Sequence, residues 1–101
     1  MTDTVPVLEI RHDIARGRFA ATIGGREVVA DYRRDGDTLQ IVHTQVPREF
    51  QGRGIAAALI AEVLAYAGAQ GLNVMPVCSY ARVYMQRHPD TRSLLAPGVV
   101  L

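Results

Sequence analysis

The sequence predicts a single α/β domain of the α+β kind, with a mostly antiparallel sheet, one long central helix and a second helix near the C-terminus. Three observations predict it: apolar and polar residues alternate up to residue 46, glycine-containing turns interrupt that alternation, and from residue 55 the apolar spacing becomes helical. A chain of 101 residues can bury one core but is too short for two lobes. We therefore expect residues 1–101 to form one domain.

The N-terminal half predicts a meander of three or four antiparallel strands. A weak alternation favours a first strand within residues 5–12, and stronger ones follow over 18–23, 27–34 and 38–46. Gly24-Gly25 and Asp35-Gly36 are hairpin-turn signals, because glycine adopts the positive φ of primed turns. His43 shares a face with Leu39 and Ile41, so we expect it to be a core histidine.

The central helix is predicted from Ile55 to Ala69, ending near Gly71. Its residues are so apolar that we expect it to be covered on most sides, as a core helix. Glu62 interrupts the apolar run, which is also shorter than the roughly 20 residues that a membrane span needs.

After this helix, a short apolar run predicts one more strand that bends at Pro76, because proline donates no hydrogen bond. Ser79 is the predicted N-cap of the second helix, and His88-Pro89 ends it. A further short helical turn is expected over residues 90–95.

Composition narrows the class of protein. The net charge of +1 and the lack of a polybasic segment argue against a nucleic-acid partner. No apolar segment precedes the polar residues at the N-terminus, so we expect a soluble, cytoplasmic protein that does not bind membranes. Cys78 is the lone cysteine and cannot form an internal disulfide. No ligand cluster has metal-site spacing, so no metal is predicted.

The connection between the last hairpin strand and the central helix is the strongest functional signal. It reads Gln51-Gly52-Arg53-Gly54-Ile55-Ala56, a glycine loop at a helix N-terminus, which is a typical anion site. Its match to a dinucleotide motif is weak, since antiparallel hairpins precede it and residues 71–77 offer no acidic ribose ligand. A turn with a purely structural role is the alternative.

The same segment resembles the Gln/Arg-x-x-Gly-x-Gly/Ala signature of the GNAT acetyltransferases, with Val46-Pro47 before it as in that family. Together with Pro76-Val-Cys-Ser-Tyr and the segment from Tyr84 to Pro89, it resembles a subgroup of small, Cys-containing GNAT proteins of about a hundred residues. The resemblance implies a reduced GNAT fold without the usual first helices and last strand pair. It also implies acetyl-CoA binding, with pyrophosphate on Gln51 to Ala56 and the pantetheine arm beside Thr44 and Val46.

Two further residues are candidates for the chemistry. Cys78 lies just before a helix N-terminus, which favours the thiolate, although a free cysteine is more often a small buried side chain. The resemblance favours a nucleophilic role for Cys78, and it implies that Tyr84 protonates the departing CoA thiolate. A core tyrosine packed beside Val83 is the alternative for Tyr84, and Tyr80 lies one turn earlier. His88 is interpreted as a helix-end residue.

The resulting hypothesis is an acetyltransferase that moves an acetyl group from acetyl-CoA to an amine, directly or through Cys78. The amine acceptor, a small molecule or a protein, cannot be read from the sequence, and no carboxylate is singled out as a base. A non-catalytic CoA-binding or protein-interaction module is the alternative. We expect a monomer or a weak homodimer.

Overall fold

The computed structural model describes residues 8–101, which form one sheet with helices packed on it. The strands are β1 (Arg11–Asp13), β2 (Arg18–Ile23), β3 (Arg26–Asp35), β4 (Thr38–Gln45) and β5 (Asn73–Pro76). The helices are α1 (Ile55–Ala69) and α2 (Ser79–Arg87), with 3-10 helices at Arg48–Phe50 and Pro89–Leu94.

The sheet runs in chain order, β1-β2-β3-β4-β5. Strands β1 to β4 form an antiparallel meander, whereas β5 lies parallel to β4 because α1 carries the chain back across the sheet. The helices contact one another and therefore lie together on one face of the sheet. The mixed α/β architecture predicted from the sequence is confirmed.

The core forms between α1 and that face of the sheet. Strand alternation directs one set of side chains from each strand toward α1. The residues that are fully or almost fully buried there include Ala21, Val28, Ala30, Leu39, Ile41, Leu59, Ile60, Val63 and Val74.

Several boundaries follow the sequence pattern closely. Helix α1 has the predicted bounds, and Gly71 follows it in a left-handed conformation. Gly24-Gly25 joins β2 to β3 as a two-residue turn, and residues 89–94 form the expected short helical turn. The β3–β4 turn is shifted by one residue, because Asp35 still pairs with Thr38.

The prediction for His43 was wrong, because a β-bulge reverses the alternation within β4. Tyr32 pairs with Ile41, but the preceding Asp31 pairs with His43, so Val42 is an extra residue. The bulge turns His43 outward, where it is exposed, and brings Thr44 and Val46 into the buried face.

Two helix predictions also need correction. Helix α1 is not covered on most sides: Ala57, Ala61 and Ala65 are exposed, since a two-layer domain of this size leaves the outer side of its helix in solvent. The N-cap of α2 is Cys78 rather than Ser79, because the Cys78 backbone is extended and its carbonyl accepts the first helical bond. Among residues 8–101, no helix has the length and apolar character needed to cross a bilayer.

The predicted first strand is only partly described. Residues 5–7 of it lie outside the described residues, residues 8–10 are not in a strand, and the ladder to β2 begins at Arg11. Leu8 and Ile10 nonetheless pack against the core, so their alternation reflects burial without strand pairing.

An aromatic cluster packs β1 against the core. The His12 ring stacks on Phe19 at a centroid distance of 3.9 Å and meets the Tyr66 ring edge-on at 4.4 Å. Its Nε2 lies 2.5 Å from the Tyr32 hydroxyl. Burial lowers the pKa of His12 below its ordinary value, opposed by the charge of Asp13, and burial raises the pKa of Tyr32 to about 12.

We expect His12 to make folding sensitive to mild acid. As the pH falls through the ordinary histidine pKa of about 6.5, the unfolded chain binds a proton at residue 12 before the folded chain does. The free energy of unfolding therefore decreases until the lower pKa of folded His12 is passed. Urea denaturation at a series of pH values should show a shallower decrease for His12→Gln than for the wild type.

The control is His43→Gln, which removes an exposed histidine and should keep the wild-type pH dependence. Equal slopes for the wild type and His12→Gln would contradict the effect of His12 burial.

Candidate functional site

The parallel strands β4 and β5 separate at Ile41. Their pairing ends where Ile41 meets Pro76, and the Ile41 carbonyl then accepts hydrogen bonds from both Val77 N and Cys78 N, each at 3.0 Å. Beyond this point β4 continues to Gln45 while the other chain turns into α2. The backbone of β4 past the bulge therefore borders a gap on its β5 side.

Cys78 and Thr44 meet across this gap. Cys78 is half-buried, Thr44 is buried, and the Cys78 Sγ lies 3.4 Å from the Thr44 Oγ1. Thr44 faces the gap only because the bulge reversed the alternation of β4. The contact holds the thiol at the point where the two strands divide.

The glycine loop follows β4 and leads into α1. Gly52 and Gly54 have φ values of 79° and 77°, in the left-handed region that glycine adopts without strain. A Cβ at either position would meet nothing within 4 Å, so the space in front of the loop is open.

The N-terminus of α1 presents amides that the protein itself does not use. The first helical hydrogen bond runs from Ala58 N to Gly54 O at 3.0 Å. Within residues 8–101, no hydrogen-bond acceptor pairs with the N–H groups of Ile55, Ala56 and Ala57, and Gly54 at the N-cap has no side chain. These donors and the positive end of the helix dipole favour an anion.

The loop is held from within the chain. The Gln51 amide Nε2 donates to the Val46 carbonyl at 3.1 Å, which ties the loop to the end of β4. The side chain of Gln51 therefore supports the loop. Arg53 is exposed, with its guanidinium carbon 6.0 Å from the centre of the Phe50 ring.

The β2–β3 hairpin packs against the 3-10 helix that precedes the glycine loop. Its tip at Gly24 lies against Phe50, with a distance of 3.6 Å from the Cβ position of Gly24 to the ring Cζ. Arg26 forms an ion pair with Glu49 in the same 3-10 helix. Phe50 thus lies between the hairpin and the space in front of the glycine loop.

A cleft of about 230 Å³ separates the glycine loop from α2. One wall is the end of β4, the loop and the first turns of α1, and the other wall is one face of α2. The lining residues are Val46, Phe50, Gln51, Gly52, Gly54, Ile55, Ala56, Ala57, Ile60, Tyr80, Val83, Tyr84, Arg87 and His88.

Tyr84 is fixed on the α2 wall by His88. The two rings stack at a centroid distance of 3.9 Å, and the His88 Nδ1–H donates to the Tyr84 carbonyl at 2.8 Å. His88 is thus the C-cap of α2, as a helix-end residue should be. Tyr80 and Val83 are 43% and 41% exposed, so Val83 does not join Tyr84 in a buried core stripe.

Seven of the ten predicted site residues line this cleft, and three do not. Arg53 projects outside it, while Thr44 and Cys78 form their own pair at the strand gap. Phe50, Val83 and Arg87 also line the cleft, and none of them was predicted to face a ligand. The sequence signal that could have predicted this wall of the cleft is helical spacing, since residues 80, 83, 84, 87 and 88 fall on one face of a helix.

The cleft suits a long ligand with an anionic end. The α1 amides and the Arg87 guanidinium offer positive charge or donors, and Val46, Ile60 and Val83 offer apolar surface. Within the described part of the chain, no carboxylate lines the cleft and no three His, Cys, Asp or Glu side chains form a metal-ligand group.

Comparisons with known proteins identify relatives of this chain. Residues 18–94 match the sequence profile of the GCN5-related N-acetyl-transferase family. Protein NATD1 of Xenopus tropicalis is 28% identical over 85 residues, which cover 81% of this chain and 78% of that protein. Protein NATD1 of Mus musculus is also 28% identical, over 81% of this chain and 77% of its own.

The fold is shared with a solved structure. The NMR solution structure of a GCN5-like protein from Staphylococcus aureus superposes with a TM-score of 0.72 and covers 88% of each chain at 23% identity. The resemblance inferred from the glycine loop is thereby confirmed at the level of family and fold.

We expect Gln51→Ala to loosen the glycine loop. Loss of the bond to the Val46 carbonyl should lower the free energy of unfolding by about 0.5 to 1.5 kcal/mol, and the loop amides should exchange with solvent faster. Urea denaturation and hydrogen exchange measure the two effects. Gln70→Ala is the control, because Gln70 is exposed and its side chain forms no hydrogen bond with residues 8–101. Equal effects of the two substitutions on stability and exchange would contradict the role of Gln51.

Proposed function

Because this chain belongs to the GCN5-related N-acetyltransferase family, we propose that it binds acetyl-CoA and transfers the acetyl group to an amine. The observation that carries the proposal is the set of unpartnered amides at the N-terminus of α1, which open into a cleft whose opposite wall holds Tyr84. Amide donors that open into a cleft match a ligand in which a diphosphate is joined to a long arm.

The diphosphate would lie on the amides of Ile55, Ala56 and Ala57. Each favourable contact between an anion and a helix N-terminus contributes about 0.3 to 2 kcal/mol. The left-handed glycines at 52 and 54 leave the approach open, which supports this position. Arg87 on the facing wall adds a full positive charge to the cleft.

The pantetheine arm would follow the free edge of β4. Past Ile41 this edge has no partner from β5, so its backbone near Thr44 and Val46 can bond an extended amide chain. That path leads from the glycine loop toward the strand gap, where Thr44 and Cys78 meet.

When bound, acetyl-CoA supplies a thioester as the acetyl donor. In the direct route, the acceptor nitrogen forms a bond to the acetyl carbon as the carbon–sulfur bond breaks. Tyr84 donates its hydroxyl proton to the departing sulfur, and the nitrogen releases a proton to solvent. Stacking on His88 keeps the Tyr84 ring in one orientation for this transfer.

In the covalent route, the Cys78 Sγ first takes the acetyl group. The thiol loses its proton to solvent as the sulfur forms a bond to the acetyl carbon, and CoA leaves as a thiolate that takes up a proton. The amine then forms a bond to the acetyl carbon, the bond to Sγ breaks, and the proton that the nitrogen releases restores the Cys78 thiol. The Thr44 hydroxyl, 3.4 Å from Sγ, is the hydrogen-bond partner available to that sulfur.

Binding without transfer is the second candidate function. The observation that favours it is that no carboxylate of residues 8–101 lines the cleft, so the described residues around it hold no acidic group to deprotonate an amine. A module of this kind would bind acetyl-CoA through the same amides and release no CoA.

We expect Gly54→Ala to weaken acetyl-CoA binding about tenfold or more. The new methyl group narrows the approach to the amides and strains a residue with a φ of 77°. Isothermal titration calorimetry with acetyl-CoA measures the affinity. No measurable heat from the wild type at high ligand concentration would overturn the proposal.

The matched control is Gly71→Ala, at the other end of the same helix. Gly71 is also left-handed, with a φ of 68° and nothing within 4 Å of its Cβ position. Both variants should lose a similar amount of stability, but only Gly54→Ala should lose affinity. A loss of affinity in both would assign the effect to strain.

We expect Tyr84→Phe to slow acetyl transfer about 100-fold while leaving acetyl-CoA affinity unchanged, because only the proton donor is lost. Release of free CoA thiol with an amine acceptor measures the rate. Tyr80→Phe is the control on the same helix face. An unchanged rate in Tyr84→Phe would remove Tyr84 from the chemistry.

The same assay with Cys78→Ser, read together with the intact mass of the protein, separates the two routes. Loss of both transfer and an acetyl adduct identifies the covalent route, and unchanged transfer identifies the direct one.

A further inference from the structure

The face of the sheet opposite α1 carries a second, separate depression. It is an open groove of about 390 Å³ that crosses β2, β3 and β4 where the β1–β2 turn approaches β3. The side chains around it are mostly charged, among them Arg16, Arg18, Asp31 and Arg33. No part of the glycine loop or of α2 contributes to it.

The β1–β2 turn is fixed beside β3 at one glycine. Tyr32 N donates to Gly17 O at 2.8 Å, and a Cβ on Gly17 would lie 2.4 Å from the Tyr32 carbonyl oxygen. Only glycine permits this approach. Arg16 and Arg18, on either side of Gly17, are thereby held at the rim of the groove.

The groove has more positive than negative charge. Arg18 binds Asp31 through two hydrogen bonds of 2.7 and 3.2 Å, which neutralises the carboxylate in the lining. Arg16 is largely exposed and lies 3.7 Å from Asp13. Arg33 is exposed and makes no ion pair or hydrogen bond with another side chain of residues 8–101.

The far end of the groove reaches the β4 bulge. Val42 and His43 both line it, since the extra residue places two successive side chains on this face. The carbonyl of Ile41, the residue before them, is the one that holds Val77 N and Cys78 N. The groove therefore ends on the opposite side of β4 from the gap that holds the Cys78 thiol.

We propose that this groove binds the acceptor amine through an anionic group, a carboxylate or a phosphate, that the acceptor carries. The inference rests on the proposed acetyl transfer. Arg33 is the principal contact, because its guanidinium has free donors that match both anions, and Arg16 adds charge at the rim. The Arg18–Asp31 pair keeps the floor of the groove in place.

This arrangement gives the two substrates separate approaches. The acyl donor enters between the glycine loop and α2, and the acceptor enters from the helix-free face, so that the two meet at the divided edge of β4. An amine without an acidic group would lack the contact with Arg33 and bind more weakly.

The test uses two pairs of amines that differ in the anionic group: β-alanine with β-alaninamide, and phosphoethanolamine with ethanolamine. Each is titrated into 15N-labelled protein saturated with CoA, and amide shifts near Arg33 and His43 report binding. We expect the member that carries the anionic group in at least one pair to bind about tenfold more tightly than the member that lacks it, as one charge-assisted hydrogen bond allows. Which pair responds identifies the carboxylate or the phosphate.

The preference should disappear in Arg33→Gln and persist in Arg34→Gln. Arg34 is the next residue of β3 and is also exposed, but its Nε donates to the Gly36 carbonyl and it does not line the groove. Equal affinity for the two members of each pair, or a preference that survives Arg33→Gln, would overturn the proposal. So would shifts confined to the glycine loop.

Failure of the proposed function has a different signature. If calorimetry detects no binding of acetyl-CoA or CoA, acetyl transfer is excluded, whatever the groove binds. If acetyl-CoA binds normally to Arg33→Gln while the anion preference is lost, the groove is independent of the acyl-donor site, as proposed.

Discussion

The separation of β4 from β5 at Ile41 is the constraint on which the rest of the structure depends. One carbonyl accepts two amides there, which turns the chain after β5 away from the sheet and into α2. The bulge at Val42 acts at the same level of β4 and reverses which of its side chains face the core. Together they create an unpaired strand edge, a thiol beside it and a helix that closes the cleft.

Much of the fold could be predicted, because its local signals agree with the tertiary structure. The Gly-Gly turn and the helical spacing after residue 55 gave the β2–β3 hairpin and the bounds of α1. The bulge has no such signal, since Val42 is an ordinary strand residue, and so the burial of His43 was predicted wrongly. The exposed alanines of α1 reflect the number of layers in the domain, which the helix sequence does not encode.

The candidate site likewise has one part that local sequence predicts and other parts that it does not. The glycine loop was predictable because left-handed glycines at a helix N-terminus form a local motif. The contact between Cys78 and Thr44 depends on strand register over more than thirty positions of chain, and the basic groove joins residues from three strands and a turn. Neither can be derived from spacing along the sequence.

The contact between the β2–β3 hairpin and Phe50 makes a surface turn part of the support of the glycine loop. Hairpin tips ordinarily tolerate insertions, since they lie in solvent and contact little. Here the tip at Gly24 contacts the ring that borders the cleft, and Arg26 pairs with Glu49 beside it. The length of this turn is therefore constrained by the geometry of the cleft, so natural variation in turn length should be narrower here than at the β3–β4 turn.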